Sequence, residues 1–143
     1  AIRPFAGEVM GMLVRHILAR KGKNILTVKP SMSVQNVARL MAKNDIGAIV
    51  VSRNGRSPDG IISERDITKG VAKLGQDFLR QKAGEVCLQR VSTCTPGDDV
   101  YRVMQTMNKR GFRHMPVTNN GMLIGMISLV DILREQMAKR ELS

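Results

Sequence analysis

Short apolar runs alternate along this chain with stretches in which apolar residues recur every three or four positions. That rhythm predicts strands and helices in regular succession. Residues 25–29 read as a β-branched strand ended by Pro30. Ser33 stands where an N-cap is expected, and Val34, Val37, Leu40 and Met41 follow at helical spacing. Residues 48–52 form an apolar run, Asn54-Gly55 favours a reversal, and residues 60–63 supply the next strand. A helix is predicted from Glu64, with Ile67, Val71 and Leu74 on one face. The order then recurs: a strand at 91–95, a helix at 98–109 with Val100, Val103, Met104 and Met107 inward, and strands at 114–118 and 122–128. A terminal helix carries Ile132, Leu133 and Met137. Two further helical stretches lie outside this order. Residues 6–20 bring Val9, Met12, Leu13, His16 and Ile17 close to one face, and residues 76–86 join the halves, where Phe78, Leu79 and Val86 could pack against both.

The recurrence is a duplication. Gly60-Ile-Ile-Ser63-Glu-Arg-Asp66 is echoed by Gly125-Met-Ile-Ser128-Leu-Val-Asp131 at an offset of 65. Upstream, Pro30, Val34, Val37, Met41 and Lys43 match Pro96, Val100, Val103, Met107 and Lys109 at an offset of 66. The one-residue change falls in turn-rich sequence, where a length difference costs least. The predicted organisation is an N-terminal arm at 1–24, a first repeat at 25–75, a linking helix at 76–90 and a second repeat at 91–143, in an α/β (α+β) fold.

Composition narrows the function. The chain has 143 residues, 43% of them hydrophobic, enough for one compact core or two half-size ones. Cys87 and Cys94 fit no zinc spacing with His16 and His114, so both are expected to be structural thiols in a reducing environment. A net charge of +11 favours phosphate-bearing ligands or acidic partners. It does not make a nucleic-acid-binding protein, because the basic residues are dispersed and aromatic residues are 3% of the chain, leaving no stacking platform. No stretch has the length and apolarity of a membrane span. The basic N-terminal segment fits a docked surface helix and faintly echoes a transit peptide.

Each Ser-x-x-Asp sits where an apolar strand runs into a helix. Gly60 and Gly125 leave room for backbone or ligand to come close. The helix N-terminus offers free N–H groups to an anion, and a carboxylate beside it accepts two hydrogen bonds from the vicinal hydroxyls of a ribose. Arg65, and Arg113 with His114, stand ready for phosphates. The same spacing equally describes a capping box, which duplicates as readily as a binding site.

The wider pattern resembles a known family. Thr27-Val-Lys-Pro30, Ile46-Gly47-Ala48-Ile-Val-Val51 and the Gly60–Asp66 motif look like the first half of a cystathionine-β-synthase (CBS) domain pair. Arg113-His114-Met115-Pro116-Val117 and the second motif look like its partner. The resemblance implies tandem β-α-β-β-α units packed as a pseudo-two-fold pair (a Bateman module), here with an extra N-terminal helix. It also implies two clefts for adenosine-containing ligands. In one, Ser63 and Asp66 take ribose and phosphate, while Thr93 or Thr95 and the stretch Phe112, Arg113, His114 frame the base. In the other, Ser128 and Asp131 face Thr27, Ile46, Gly47 and Ala48, with backbone at Ile46 and Ala48 reading the adenine edge. Arg65 against Val130 makes the sites unequal and favours the Asp66 site for a charged tail.

The expected function is therefore a regulatory module that binds AMP, ADP, ATP, NAD or S-adenosylmethionine, requires no metal, and signals to a partner enzyme as a homodimer. The helices at 6–20 and 129–140 are its expected contact surfaces. The alternatives are a dimerisation scaffold with empty clefts and, behind it, a nucleic-acid-binding protein. Catalysis is not expected: there is no Walker loop, no nucleophile paired with a base and no cluster of metal carboxylates. The cytoplasm is the default compartment, with the mitochondrial matrix as the alternative.

Overall fold

The computed structural model describes residues 9, 11–22 and 25–142, so residues 6–8 and 10 of the predicted helical stretch 6–20 lie outside the described residues. The chain divides into two compact units, one of residues 26–91 and one that joins residues up to 25 with residues 92–143.

In the first unit, β1 (Thr27–Val28) pairs parallel with β2 (Ala48–Val51), which pairs antiparallel with β3 (Gly60–Ser63). The parallel step requires a crossover, which α2 (Val34–Asn44) supplies; α1 (Val14–Lys21) precedes β1 and belongs to the other unit. Ser33 caps α2 as predicted, its Oγ accepting from the Asn36 N–H at 3.1 Å. All four side chains of β2 are buried, and Val28, Val37, Met41, Ile49, Val51 and Ile62 form the core. Each such aliphatic side chain contributes about 1.5–3 kcal/mol when fully buried.

α3 (Glu64–Leu74) departs from its predicted face. Ile67 is half-buried, but Val71 and Leu74 are 39% and 45% exposed. The reason is Phe78 on α4 (Gln76–Arg80), whose buried ring lies over Gly70; a Cβ there would meet ring carbons at 2.2–2.4 Å. The linking segment thus folds back onto the first repeat, and α5 (Ala83–Val86) packs on β3.

In the second unit, α6 (Val100–Arg110) buries Val100, Val103, Met104 and Met107 as expected; it begins two residues later than predicted and is capped by Asp99. β4 (His114–Asn119) and β5 (Met122–Ser128) form an antiparallel ribbon with a bulge at Ile124. The strand predicted at 91–95 reduces to one bridge, Cys94 to Val117, with bonds of 3.0 Å to Pro116 and 2.8 Å from Thr118. Ser92 lies instead within reach of Arg110 on α6. On α7 (Leu129–Leu142) Ile132 and Gln136 are buried, whereas Met137, expected inward, is 61% exposed.

α1 belongs to this second unit. Its first N–H groups, orphaned in any helix, find the carbonyls of Asp98 and Pro96, and Val100 in turn donates to Met12. The first unit repeats the device: Val34 donates to Gln81, and Ala83 donates to Met32. Each repeat therefore has its first long helix tied to an arm: residues 81–83, which follow the repeat, serve the first, and α1, which lies before the first repeat, serves the second.

Candidate functional site

Both Ser-x-x-Asp motifs are capping boxes, and they differ in what else touches the acid. At the first, Ser63 Oγ accepts from the Asp66 N–H at 3.2 Å, while Asp66 Oδ2 accepts from the Ser63 N–H at 2.8 Å and its hydroxyl at 2.9 Å. Asp66 is exposed, and its second oxygen makes no bond among the described residues. Arg65 next to it is likewise exposed and makes no ion pair or hydrogen bond there. The first turn of α3 thus carries an open carboxylate oxygen and, on the adjacent residue, a guanidinium uncommitted among the described residues.

At the second, Ser128 and Asp131 form the same reciprocal pair, at 2.8 and 3.1 Å. Here Lys21, at the end of α1, donates to Asp131 Oδ2 at 2.8 Å and to the Met126 carbonyl at 2.7 Å. Arg20 anchors the same end of α1 to Glu135 at 2.6 Å. Burial alone would raise the Asp131 carboxyl; the Lys21 ammonium and the Ser128 N–H outweigh it and hold the group below its ordinary value. Lys21 escaped the sequence reading because nothing in its spacing connects it to a residue 110 positions later.

The two motif glycines are close-approach positions, but the neighbour is protein. A Cβ on Gly60 would stand 2.4 Å from Cys87 Sγ and 3.1 Å from the Leu88 carbonyl; one on Gly125 would stand 2.8 Å from Leu18 Cδ2. Each arm therefore crosses its glycine.

The other predicted residues are placed as follows. The Glu64 N–H bonds the Gly47 carbonyl at 2.9 Å, and Ala48 pairs with Ser63. The Leu129 N–H bonds the Arg113 carbonyl at 2.9 Å, and His114 pairs with Ser128. So Gly47-Ala48 and Arg113-His114 each line up beside the motif of their own repeat. The Ile46 N–H closes the end of α2 on the Met41 carbonyl at 3.1 Å, so it is not available to read a base. Thr27 is half-buried on β1, and Phe112 packs on the second unit's core. Thr93 and Thr95 are exposed, and the Thr95 N–H donates to Asp98 at 2.8 Å. Among the described residues no three His, Cys, Asp or Glu side chains cluster as metal ligands would. Burial raises both thiols, that of Cys94 to about 12, which fits their expected structural role.

Two repeats of one helix–strand–strand–helix plan, the first opened by a short strand and the second by a single bridge, each with the same capped acid, suit the CBS domain, whose family model matches residues 7–73 and 83–138. The chain belongs to the CBS domain family. It is 30% identical over 129 residues to the mitochondrial CBS domain-containing protein CBSX3 of Arabidopsis thaliana, covering 85% of this chain and 63% of that one. An uncharacterised protein of Methanopyrus kandleri, MK0525, is 29% identical and covered to 58%, so this CBS pair spans about three-fifths of such curated relatives. Among solved structures, the CBS-domain protein ATU1752 of Agrobacterium tumefaciens superposes with a TM-score of 0.82 at 34% identity, covering 87% of this chain and 93% of that one. The CBS domain pair of MJ0100, solved in complex with 5′-methylthioadenosine and S-adenosylmethionine, gives 0.78 at 25% identity over 90% and 98% of the two chains. CBS pairs of this kind are generally regulatory rather than catalytic, and neighbours of this chain hold adenosine-containing ligands.

Proposed function

We propose that this CBS pair is a regulatory module that binds an adenosine-containing ligand and reports its occupancy to a partner enzyme. The observation that carries this is the Asp66 corner. A carboxylate whose hydrogen bonds were fully spent on capping would be structural; among the described residues Asp66 keeps one oxygen open and its chain neighbour Arg65 is uncommitted. The ribose diol takes the Asp66 carboxylate, and Arg65 takes a charged tail. The ligand complex of MJ0100 supports the ligand class. The second motif is the closed one, because a diol there has to displace Lys21. AMP, ADP, ATP, NAD and S-adenosylmethionine are the ligands to compare.

Assembly as a homodimer is part of the same reading. It is supported by the exposed apolar residues Val71 and Leu74 on α3 and Val130 and Met137 on α7, and by the hexamer that a CBS-CP12 protein 26% identical to this chain forms. The likeness to a plant mitochondrial protein favours an organelle matrix as a second reading of the compartment, beside the cytoplasm.

Thermal shift with the five ligands tests the proposal. A ligand at 100 times its dissociation constant stabilises by about 2.7 kcal/mol. Asp66→Ala is expected to abolish that shift while lowering unliganded stability by about 1 kcal/mol, the worth of a cap. Loss of the cap's worth of stability with the ligand shift intact would return the motif to a purely structural role.

A further inference from the structure

A groove of about 340 Å³ opens within the second unit, between residues 92–94 and one face of α6. That is the lower end of the size range of small-molecule sites. Arg102 and Arg110 line it, eight residues and therefore about 12 Å apart along the helix axis. The Arg102 guanidinium makes no ion pair or hydrogen bond among the described residues. Arg110 has a neutral partner, donating to Ser92 Oγ at 2.7 Å. Because Ser92 accepts there, its own hydroxyl proton remains free to donate, and Thr93 also lines the groove. Thr106 adds no donor, since its proton is committed to the Arg102 carbonyl at 3.1 Å. The single carboxylate on the lining, Asp98, is engaged by the Thr95 N–H at 2.8 Å. Cys94 forms a neutral wall: burial holds its thiol up to about 12.

We propose that this groove is a binding site for phosphoryl groups, with Arg102 and Arg110 gripping the two ends of a short phosphate chain and the Ser92 and Thr93 hydroxyls donating between them. Guanidinium forks match phosphate oxygens two at a time, and hydroxyl donors complete the shell. The bound group is an inorganic phosphate chain or the tail of a nucleotide. The site stands whether or not the Ser-x-x-Asp motifs hold a ribose.

The test is calorimetric titration of the full chain with tripolyphosphate, then with ATP, at low salt. Because the chain is strongly basic, a charge-matched control is required. Arg102→Gln/Arg110→Gln is expected to weaken tripolyphosphate binding by more than about tenfold, the cost of losing charge-assisted hydrogen bonds. Lys43→Gln/Arg56→Gln, which removes the same charge from exposed positions of the first unit, should change it by about twofold or less, as screening dictates. Ser92→Ala, which leaves the charge intact, should weaken it measurably. Equal losses in the two double variants, or no saturable binding, overturn the proposal. ATP that competes with tripolyphosphate and shares its sensitivity to the arginine variants identifies a nucleotide tail as the occupant. ATP that does not compete identifies the free anion. Arginine-dependent tripolyphosphate binding with no ATP binding at all leaves the groove assigned and removes the adenosine reading of the Asp66 corner.

Discussion

Replacing Lys21 with Met isolates the charge of the α1 latch, because Met retains a long apolar stem while losing the ammonium. Lys21 makes two bonds, to Asp131 Oδ2 and to the Met126 carbonyl. Hydrogen bonds to charged groups are worth about 1.5–3 kcal/mol, and exposed ion pairs about 0–1 kcal/mol. The Asp131 side chain is only 11% exposed, but that of Lys21 is 39% exposed, so solvent screens the pair and about 1 kcal/mol is the fitting value. A chain of this size loses roughly 2 kcal/mol of stability per molar urea, so the midpoint should fall by about 0.5 M at pH 7. Asp131 has a carboxyl that burial pushes up, but that Lys21 and Ser128 hold below its ordinary value. A depressed carboxyl stabilises the fold above its unfolded pKa, about 3.9, and that contribution is lost as pH falls through the folded value. The gap between wild type and Lys21→Met should therefore be full at neutral pH and reduced at about pH 3, below the unfolded pKa. A gap of the same size at both pH values would place the effect in stem packing and refute the electrostatic account; no gap at pH 7 would refute the latch altogether.

Gly60→Ala sets a Cβ against Cys87 Sγ and the Leu88 carbonyl, and overpacking of this kind costs about 1–3 kcal/mol. Urea unfolding of Gly60→Ala, Cys87→Ala and the double variant should show the second substitution recovering part of the loss; strict additivity would mean the two residues do not share the space. For assembly, Leu74→Lys and Met137→Lys remove exposed apolar surface, and sedimentation velocity should show a shift toward monomer in at least one of them. An unchanged sedimentation coefficient in both would remove these helices from the interface.

Periodicity predicted most of the elements because the apolar spacing directly encodes which face of a helix or strand is buried. Val34, Val37 and Met41 and their counterparts Val100, Val103 and Met107 all went inward. Spacing does not say what a face will meet. Phe78 took the position over Gly70 and left Leu74 outside, and Gln136 rather than Met137 turned into the second unit. The capped acids could be read from four residues each, since the geometry is local. Lys21 is a tertiary neighbour of Asp131, and Arg102 and Arg110 converge with Ser92 only once the loop at 92–94 lies along α6. An eight-residue interval between two arginines on the polar face of one helix was the available signal. Its meaning depended on the loop opposite.

The arrangement of the arms also sets a timetable. The first unit is built from the contiguous residues 26–91, so its own packing can begin while the rest of the chain is still being made. The second unit has no such privilege. Leu18 covers Gly125 and Lys21 reaches Asp131, which emerge from the ribosome more than a hundred residues later. At about 5–20 residues per second, α1 waits several seconds for its partner. Throughout that interval Val14, Ile17 and Leu18, all buried in the finished molecule, have no surface of their own unit to close against.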